Sequence, residues 1–229
     1  MHDIKIIAFD ADDTLWVNEP YFQETEHKFC ALLEDYLPHH TVSQELFKTE
    51  MNNLPLYGYG VKGFVLCMIE TLTNITDNKA DIKLVNKVIS LGKELLNKPI
   101  ELLDGVEDAL KKLNGDYRLV MATKGDLLDQ ERKLLNSGLE KYFHHIEIMS
   151  NKKKGDYQKL IQHLDCNPKN FLMIGNSIKS DVIPVLELGG NAIHVPYHTT
   201  WAHEQITQKI NDPKIIQVSN ITEVLNYLK

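Results

Sequence analysis

The feature that most constrains the fold is residues 4–15, a short apolar run that ends in a cluster of acids. Its first half, IKIIAF, is rich in β-branched and aromatic side chains, which is typical of a strand buried on both faces. The strand would deliver Asp10 to its carboxyl end, where open α/β sheets bind their ligands. Asp10, Asp12 and Asp13 place three carboxylates within four residues, and these charges repel unless a cation or hydrogen-bond donors lie among them. A hard divalent cation would relieve this repulsion, with Mg2+ the commonest candidate.

The rest of the chain changes character near residue 103. Before it, four amphipathic stretches predict a small helical bundle, and after it helices and strands alternate at intervals suited to a parallel sheet. We therefore predict an α/β fold, a parallel sheet flanked by helices with an inserted all-helical domain. The core would comprise 1–15 and 103–229, and the insertion 16–102. The helical stretches of the insertion are 19–37, with Tyr36 on its apolar stripe, 41–54, 61–73 and 79–97. The later strands are 118–122, 145–149, 171–174, 191–195 and 215–218. The later helices are predicted near 106–113, 127–137, 157–164, 178–188 and 222–228.

Composition excludes several classes of function. The net charge of −7 argues against non-specific binding of nucleic acid, and no window is apolar enough for a membrane span. The N-terminal residues do not have the pattern of a secretory leader. Cys30, Cys67 and Cys166 are scattered and odd in number, which predicts reduced core residues and a cytoplasmic protein. No pattern indicates an oligomeric state.

Polar residues follow several of the predicted strands. Because the carboxyl ends of parallel strands meet at one edge of the sheet, residues distant in sequence are expected to face one pocket there. The residues at these ends are Asp10, Thr123, a lysine near 152, Asn176 and Asp181. They supply a nucleophile, a hydroxyl donor, a cation and metal ligands, which are the groups that phosphoryl transfer requires.

The acid cluster has the pattern D-x-D-x-T, formed by Asp10, Asp12 and Thr14, and it resembles motif I of the haloacid dehalogenase-like (HAD) hydrolase superfamily. The resemblance covers nearly the whole chain and implies a Rossmann-like core. In that family the first Asp is a nucleophile that accepts a phosphoryl group. The Asp two residues later is the general acid and base. The helical insertion resembles a C1-type cap, a lid that closes over the substrate.

The segment Val120–Thr123 matches motif II of the family, in which the hydroxyl, here that of Thr123, holds a phosphoryl oxygen. The family often has Asn next, whereas this chain has Lys124, which either contacts substrate or faces solvent. Motif III implies a lysine just after the third strand. The spacing to the following helix favours Lys152. Lys154 stays as runner-up, because the proline that often follows this lysine in the family is missing and the register is therefore open.

The segment 175–181, GNSIKSD, resembles motif IV, with Asn176 in place of the usual first Asp. An amide oxygen still ligates Mg2+ but without charge, so metal affinity would be lower. The metal ligands implied by the resemblance are Asp10, the backbone carbonyl of Asp12, Asn176 and Asp181. The implied cofactor is Mg2+.

These motifs predict a Mg2+-dependent phosphatase that hydrolyses a small phosphorylated metabolite through an aspartyl-phosphate intermediate. Asp12 argues against a dehalogenase, because HAD dehalogenases and phosphonatases lack an acid at that position. Two alternatives stay open. One is a phosphomutase of the β-phosphoglucomutase type, whose acid and base is also Asp. The other is a non-catalytic HAD-like binding protein, which the substitution at Asn176 allows.

Substrate choice is expected to lie in the helical insertion and its hinges. Tyr57 and Tyr59 flank a glycine in a loop between two predicted helices, so they would either reach over the pocket or pack at its rim. Trp16, just after the acid cluster, would either stack on a substrate ring or seal the hinge. Together with Lys124, these are the candidate substrate contacts.

Overall fold

The computed structural model describes residues 1, 3–205 and 215–228. Its centre is a six-stranded parallel sheet with the strand order β3-β2-β1-β4-β5-β6. Helices flank the sheet, so the predicted α/β, Rossmann-like fold is confirmed. The strands are β1 (Ile6–Phe9), β2 (Arg118–Lys124), β3 (His145–Met149), β4 (Phe171–Gly175), β5 (Asn191–His194) and β6 (Ile216–Gln217).

The central strand β1 is buried on both faces. Ile7 and Phe9 belong to one apolar cluster and Ile6 and Ala8 to another. This explains why its sequence is a continuous apolar run instead of an alternating one. The chain passes from β1 to β2 on one side and later to β4 on the other side, and such a reversal opens a crevice at the carboxyl ends of the strands.

Helices of the sheet unit cover these clusters with apolar faces. In α5 (Val106–Leu113) every buried residue belongs to the Phe9 cluster, and in α7 (Lys154–His163) the buried residues belong to the Ile6 cluster. The remaining α-helices are α1 (Glu19–Leu32), α2 (His39–Tyr57), α3 (Val61–Ile75), α4 (Ile82–Leu96), α6 (Leu127–Ser137) and α8 (Ile183–Leu186).

The chain divides into two compact units, here called the sheet unit (1–19, 100–124 and 130–229) and the helical unit (20–99 and 125–129). The helical unit has its own apolar core, centred on Phe29, Leu46 and Met68. Residues 125–129 join it partly because the Asp126 carboxylate accepts from the Lys62 N–H at 3.1 Å and pairs with its ammonium at 3.4 Å.

Two predicted helices differ from the structure. The first was predicted to run to Leu37 but ends at Leu32, and Tyr36, predicted on its apolar stripe, is 49% exposed. Pro38 disfavours helical geometry in the residue before it, and the chain forms a turn instead. The long helix predicted after β4 is a π-helical turn, Ile178–Val182, followed by only one turn of α-helix. Pro184 lacks the N–H needed for a regular helix there.

Smaller differences concern termini. β1 starts two residues after the predicted position, and the predicted C-terminal helix is a 3-10 helix, Ile221–Tyr227. Cys30 and Cys67 are buried as predicted, whereas Cys166 is partly exposed. Within residues 1, 3–205 and 215–228, no helix has the length and apolar character that crossing a membrane requires.

Candidate active site

The carboxylate of Asp10 lies at the carboxyl end of β1. The ammonium of Lys152, which follows β3, donates to Asp10 Oδ1 and also to Asp181 Oδ1 at 2.7 Å. All three side chains are buried, although they come from the ends of three different strands. An ammonium between two carboxylates offsets charges that would be costly to bury alone.

Burial shifts the proton affinities of this cluster. It raises the pKa of Asp10 to about 7, against the opposing effect of the Lys152 ammonium. Burial lowers the pKa of Lys152, but the charges of Asp10 and Asp181 outweigh it and raise that pKa above its ordinary value. Lys152 is therefore positively charged at neutral pH. Tyr157 adds a buried hydroxyl that donates to Asp181 Oδ1 at 3.4 Å.

Thr14 joins the loop after β1 to the loop after β4. Its Oγ1 lies 3.2 Å from Asp10 Oδ2 and 3.4 Å from Asn176 Oδ1, and it accepts from the Asn176 N–H at 3.1 Å. His194 Nε2 donates to the Asn176 carbonyl at 3.0 Å, which fixes the backbone of the same residue. The side-chain oxygens of Asp10 and Asn176 therefore flank one hydroxyl.

Gly175, the last residue of β4, allows Asp181 to approach the strand end closely. A Cβ at this position would lie 2.3 Å from Asp181 Oδ2, so any side chain would displace that carboxylate. The same oxygen accepts from the Ser177 N–H at 2.9 Å. The glycine of the predicted motif IV thus has a packing reason in this structure.

Asp12 is held by donors within the sheet unit. Its Oδ1 accepts from Trp16 Nε1 at 2.7 Å and from Lys133 Nζ at 2.9 Å, and its Oδ2 accepts from Gln130 Nε2 at 2.8 Å. Trp16 was predicted to stack on substrate or seal the hinge. The structure corrects the first alternative, because the indole is fully buried in the Phe9 cluster and offers no ring face to a ligand.

Asp13 has a structural role that separates it from its neighbours. Its carboxylate accepts from the backbone N–H groups of Asn18 at 2.9 Å and Glu19 at 3.0 Å, and Glu19 begins α1. A carboxylate at this place satisfies N–H groups that a helix start leaves unpaired. Its φ of 60° is left-handed, a region that Asp tolerates better than most residues. Burial, together with the charge of Asp12, raises its pKa to about 7.

A second buried polar cluster lies beside the first. Thr123, next to the end of β2, is buried, and its hydroxyl donates to the Lys124 carbonyl at 3.3 Å. The ammonium of Lys124 donates to Glu204 Oε1 at 2.6 Å and to Ser180 Oγ at 3.0 Å. The sequence left two alternatives for Lys124, contact with substrate or exposure to solvent. The second is wrong, because the Lys124 ammonium is paired within the sheet unit.

Glu204 completes this second cluster. Its Oε2 accepts from Ser177 Oγ at 2.5 Å and from Ser180 Oγ at 2.7 Å. Burial raises the pKa of Glu204, but the Lys124 charge and these hydrogen bonds outweigh it and lower the value to about 2. Because Ser177 follows Asn176 and Ser180 precedes Asp181, the carboxylate of Glu204 fixes the loop that carries two candidate metal ligands.

The structure distinguishes between the two candidate lysines. Lys152 contacts Asp10, whereas Lys154 is exposed at the first turn of α7. Tyr57 is exposed at the end of α2 and Tyr59 is partly exposed, both in the helical unit. Their contact with substrate stays a prediction.

The predicted ligand set fits a hard cation in its chemistry. In the part of the chain that the structure describes, no three Asp, Glu, His or Cys side chains form a metal-holding cluster. The predicted set consists of carboxylates from Asp10 and Asp181 and an amide oxygen from Asn176. The side-chain oxygens of Asp10 and Asn176 both lie next to the Thr14 hydroxyl. Oxygen donors of this type suit Mg2+. Asp10, Asn176, Asp181 and the Asp12 carbonyl are the residues that would hold it.

Sequence reasoning missed several residues of the site. Glu204 ends a three-residue 3-10 helix, Ala202–Glu204, which is too short to give a periodic pattern, so no signal marked it. Gln130 and Lys133 lie three residues apart on α6, and this spacing does place them on one helix face. No pattern in the sequence indicates that α6 turns this face to the loop after β1.

Comparisons with known proteins agree with this geometry. Residues 4–189 match the model of the haloacid dehalogenase-like hydrolase family. A haloacid dehalogenase-like family hydrolase from Xanthomonas campestris is similar in structure with a TM-score of 0.87 and 36% identity, over 96% of this chain and 88% of that one. A search of curated protein sequences gave no significant match.

More distant structures show the same fold with different described activities. A predicted phosphoglycolate phosphatase from Haemophilus somnus has a TM-score of 0.67 and 16% identity over 100% of both chains. The L-2-haloacid dehalogenase from Xanthobacter autotrophicus, with chloropropionic acid covalently bound, has a TM-score of 0.66 and 13% identity over 97% of both chains. The chain belongs to the haloacid dehalogenase-like hydrolase family. Similarity alone does not separate phosphatase from dehalogenase.

Proposed function

We propose that this hydrolase is a Mg2+-dependent phosphatase that hydrolyses a small phosphorylated metabolite through an aspartyl-phosphate on Asp10. The observation that carries the proposal is the pair of carboxylates after β1. Asp10 is buried against the Lys152 ammonium. Asp12, two residues later, is partly exposed and pairs with a different lysine, Lys133. This arrangement supports Asp10 as the nucleophile and Asp12 as the acid and base.

The first half of the reaction transfers the phosphoryl group to the protein. A carboxylate oxygen of Asp10 attacks phosphorus, the bond from phosphorus to the leaving oxygen breaks, and Asp12 gives its proton to that oxygen. Lys152 and the Thr123 hydroxyl stabilise negative charge on the phosphoryl oxygens. Mg2+, when bound, would supply further positive charge to the same oxygens.

The second half regenerates the enzyme. Asp12 takes a proton from water as the water oxygen bonds to phosphorus, and the bond from Asp10 to phosphorus breaks. Inorganic phosphate leaves and Asp10 returns to its ion pair with Lys152. Each half thus uses Asp12 in the opposite protonation state, which is the reason for an ionisable group at this position.

The same residue favours a phosphatase over a dehalogenase. A halide is a weak base and leaves without a proton, whereas an alkoxide needs one. The Asp12 carboxyl group, held by Trp16, Gln130 and Lys133, can give the proton that an alkoxide leaving group needs and a halide does not.

The proposal extends to the rest of the chain. The helical unit would be a C1-type cap whose Tyr57 and Tyr59 contact substrate, and Lys124 would contribute to the substrate site only if its pair with Glu204 opened. The expected partner is a small phosphorylated metabolite, without nucleic acid or membrane, in the cytoplasm.

The test is a screen of phosphorylated metabolites and p-nitrophenyl phosphate, with Mg2+ or with a chelator, alongside 2-chloropropionate. We expect phosphate release that requires Mg2+ and no chloride release. Chloride release without phosphate release would overturn the proposal in favour of a dehalogenase. Conversion of a sugar phosphate to its isomer would identify a mutase, and no turnover of any compound would favour a binding protein.

A further inference from the structure

The carboxylate of Asp12 uses most of its hydrogen-bonding capacity on protein donors. A carboxylate has about four lone-pair positions, two on each oxygen. Oδ1 accepts two hydrogen bonds, from Trp16 and Lys133, and Oδ2 accepts one from Gln130. Among the residues that the structure describes, Oδ1 is thus saturated and Oδ2 keeps one position. We call Trp16, Gln130 and Lys133 the Asp12 cradle.

Each donor of the cradle is fixed by a second contact. Trp16 is fully buried in the apolar core. Gln130 is buried, and its Nε2 also donates to the Lys124 carbonyl at 2.9 Å, which ties α6 to the end of β2. Lys133 Nζ also donates to Asn18 Oδ1 at 2.7 Å. The rotamer of Asp12 is therefore set by groups that are themselves held in place.

Stability alone gives a poor reason for this arrangement. The side chains of Asp12 and Lys133 are 26% and 14% exposed, and ion pairs with access to water contribute little to stability. Meanwhile Gln130 Oε1 is buried without a hydrogen-bond partner among the described residues, a cost that a purely structural amide would avoid. The cradle is better explained by what it does to Asp12.

We propose that Gln130 and Lys133 are positioning residues that turn Asp12 so that Oδ2 is the atom that gives and takes the proton. This inference rests on the proposed phosphatase function. In the first half-reaction the proton on Oδ2 moves to the leaving oxygen as its bond to phosphorus breaks. In the second, a proton of the attacking water moves to Oδ2 as the bond from phosphorus to Asp10 breaks.

A substrate with a good leaving group separates the two halves. The p-nitrophenolate ion leaves without a proton, so its first release does not need Asp12, whereas the attack of water on the aspartyl-phosphate does. A misplaced Asp12 should therefore spare the initial burst of nitrophenolate and slow the steady rate. With an alkyl phosphate both halves need the proton, and the overall rate should fall at least as much.

The experiment compares Lys133→Met and Lys133→Arg with Lys141→Met, which removes an exposed lysine paired with Glu107. With p-nitrophenyl phosphate, K133M should lower the steady-state kcat about 10- to 100-fold with little change in KM and leave the burst rate within about threefold. K133R should recover most of the loss and K141M should match the wild type. Gln130→Leu gives a second variant in case K133M folds poorly.

An indole signal reports on the cradle without turnover. The chain has two tryptophans, so a 15N-labelled sample gives two Nε1–H signals, one of which is Trp16. Asp12→Asn identifies it by moving it, and K133M should move the same signal while K141M does not. If neither of the two indole signals moves in D12N or in K133M, the cradle does not exist in solution.

The kinetic outcomes separate the two proposals. If the wild type hydrolyses phosphate esters but K133M and Q130L, both folded, match K141M, only this inference is overturned. The same holds if burst and steady rate fall equally in K133M. If the wild type releases no phosphate from any ester, the proposed function and the catalytic role of the cradle both fail, whatever the indole signals show.

Discussion

The two units of the chain bury polar groups in different ways. In the sheet unit several of the buried polar groups are charged, and Lys152 pairs there with Asp10 and Asp181, which follow two other strands. In the helical unit most buried polar groups are neutral. The Thr76 hydroxyl donates locally to the Leu72 carbonyl at 2.8 Å, whereas the buried Thr71 hydroxyl has no hydrogen-bond partner among the described residues. Burying ion pairs rarely stabilises a fold more than apolar residues would. The contrast therefore indicates that chemistry, and not stability, retains the charges of the sheet unit.

The largest effect is expected from Lys152→Met. The substitution leaves two carboxylates buried without their ammonium, so the unfolding free energy should fall by about 3 to 5 kcal/mol. Activity should fall about 100-fold, because the ammonium no longer stabilises charge on the phosphoryl group. Loss of the ammonium raises the pKa of Asp10 further. A buried carboxyl group with a raised pKa costs stability only where its unfolded form is ionised. The stability difference between wild type and K152M should therefore shrink as the pH falls toward about 4.

Lys154→Met is the matched control for that change. Lys154 is exposed at the start of α7, so its loss should leave both activity and the urea unfolding curve unchanged. A K154M variant that loses activity while K152M keeps it would reverse the assignment of the two lysines and break the contrast between the units.

The next effect concerns the helical unit. Phe29→Ala removes a fully buried ring from its apolar core and should lower the unfolding free energy by about 3 to 5 kcal/mol, as measured by urea denaturation followed by circular dichroism. An exposed residue of the same unit provides the control, since Leu56→Ala should cost little. A small loss for F29A would mean that this unit does not depend on apolar packing.

Glu204→Gln is expected to cost less, about 1 to 3 kcal/mol at neutral pH. The pKa of Glu204 is lowered from 4.5 to about 2, so its charge stabilises the fold above 4.5 and this contribution is lost as pH falls toward 2. The difference between wild type and E204Q should therefore be greatest at neutral pH and shrink in that acid window. A difference that grows below pH 4.5 would contradict the buried pair with Lys124.

The smallest effect is expected from Thr76→Val, a cost of about 1 kcal/mol or less. The Leu72 carbonyl still accepts from the Thr76 N–H at 3.1 Å after the hydroxyl is lost, so no acceptor is left unpaired. Thermal melting beside Ser90→Ala, an exposed hydroxyl with the same local pattern, would measure it. If T76V lowered the unfolding free energy by several kcal/mol, the helical unit would also depend on buried polar contacts.

The sequence was sufficient for the fold because its signals are local. The apolar run of β1, the bounds of β3 and α6, and the convergence of Asp10 with Asp181 all follow from periodicity and parallel topology. It was insufficient where packing decides. Trp16 was a candidate to stack on substrate but is buried. Lys124 was a candidate to face solvent but pairs with Glu204, eighty residues later in a short 3-10 helix. Long-range partners of this kind leave no period in the sequence.

The most direct test of the account is chemical trapping of the nucleophile. The wild type would be incubated with Mg2+ and a phosphate ester that it hydrolyses, quenched in acid, reduced with borohydride and mapped by mass spectrometry. We expect conversion of Asp10 to homoserine in the wild type, with neither conversion nor turnover in Asp10→Asn. Conversion at another residue, or hydrolysis by D10N at the wild-type rate, would contradict it.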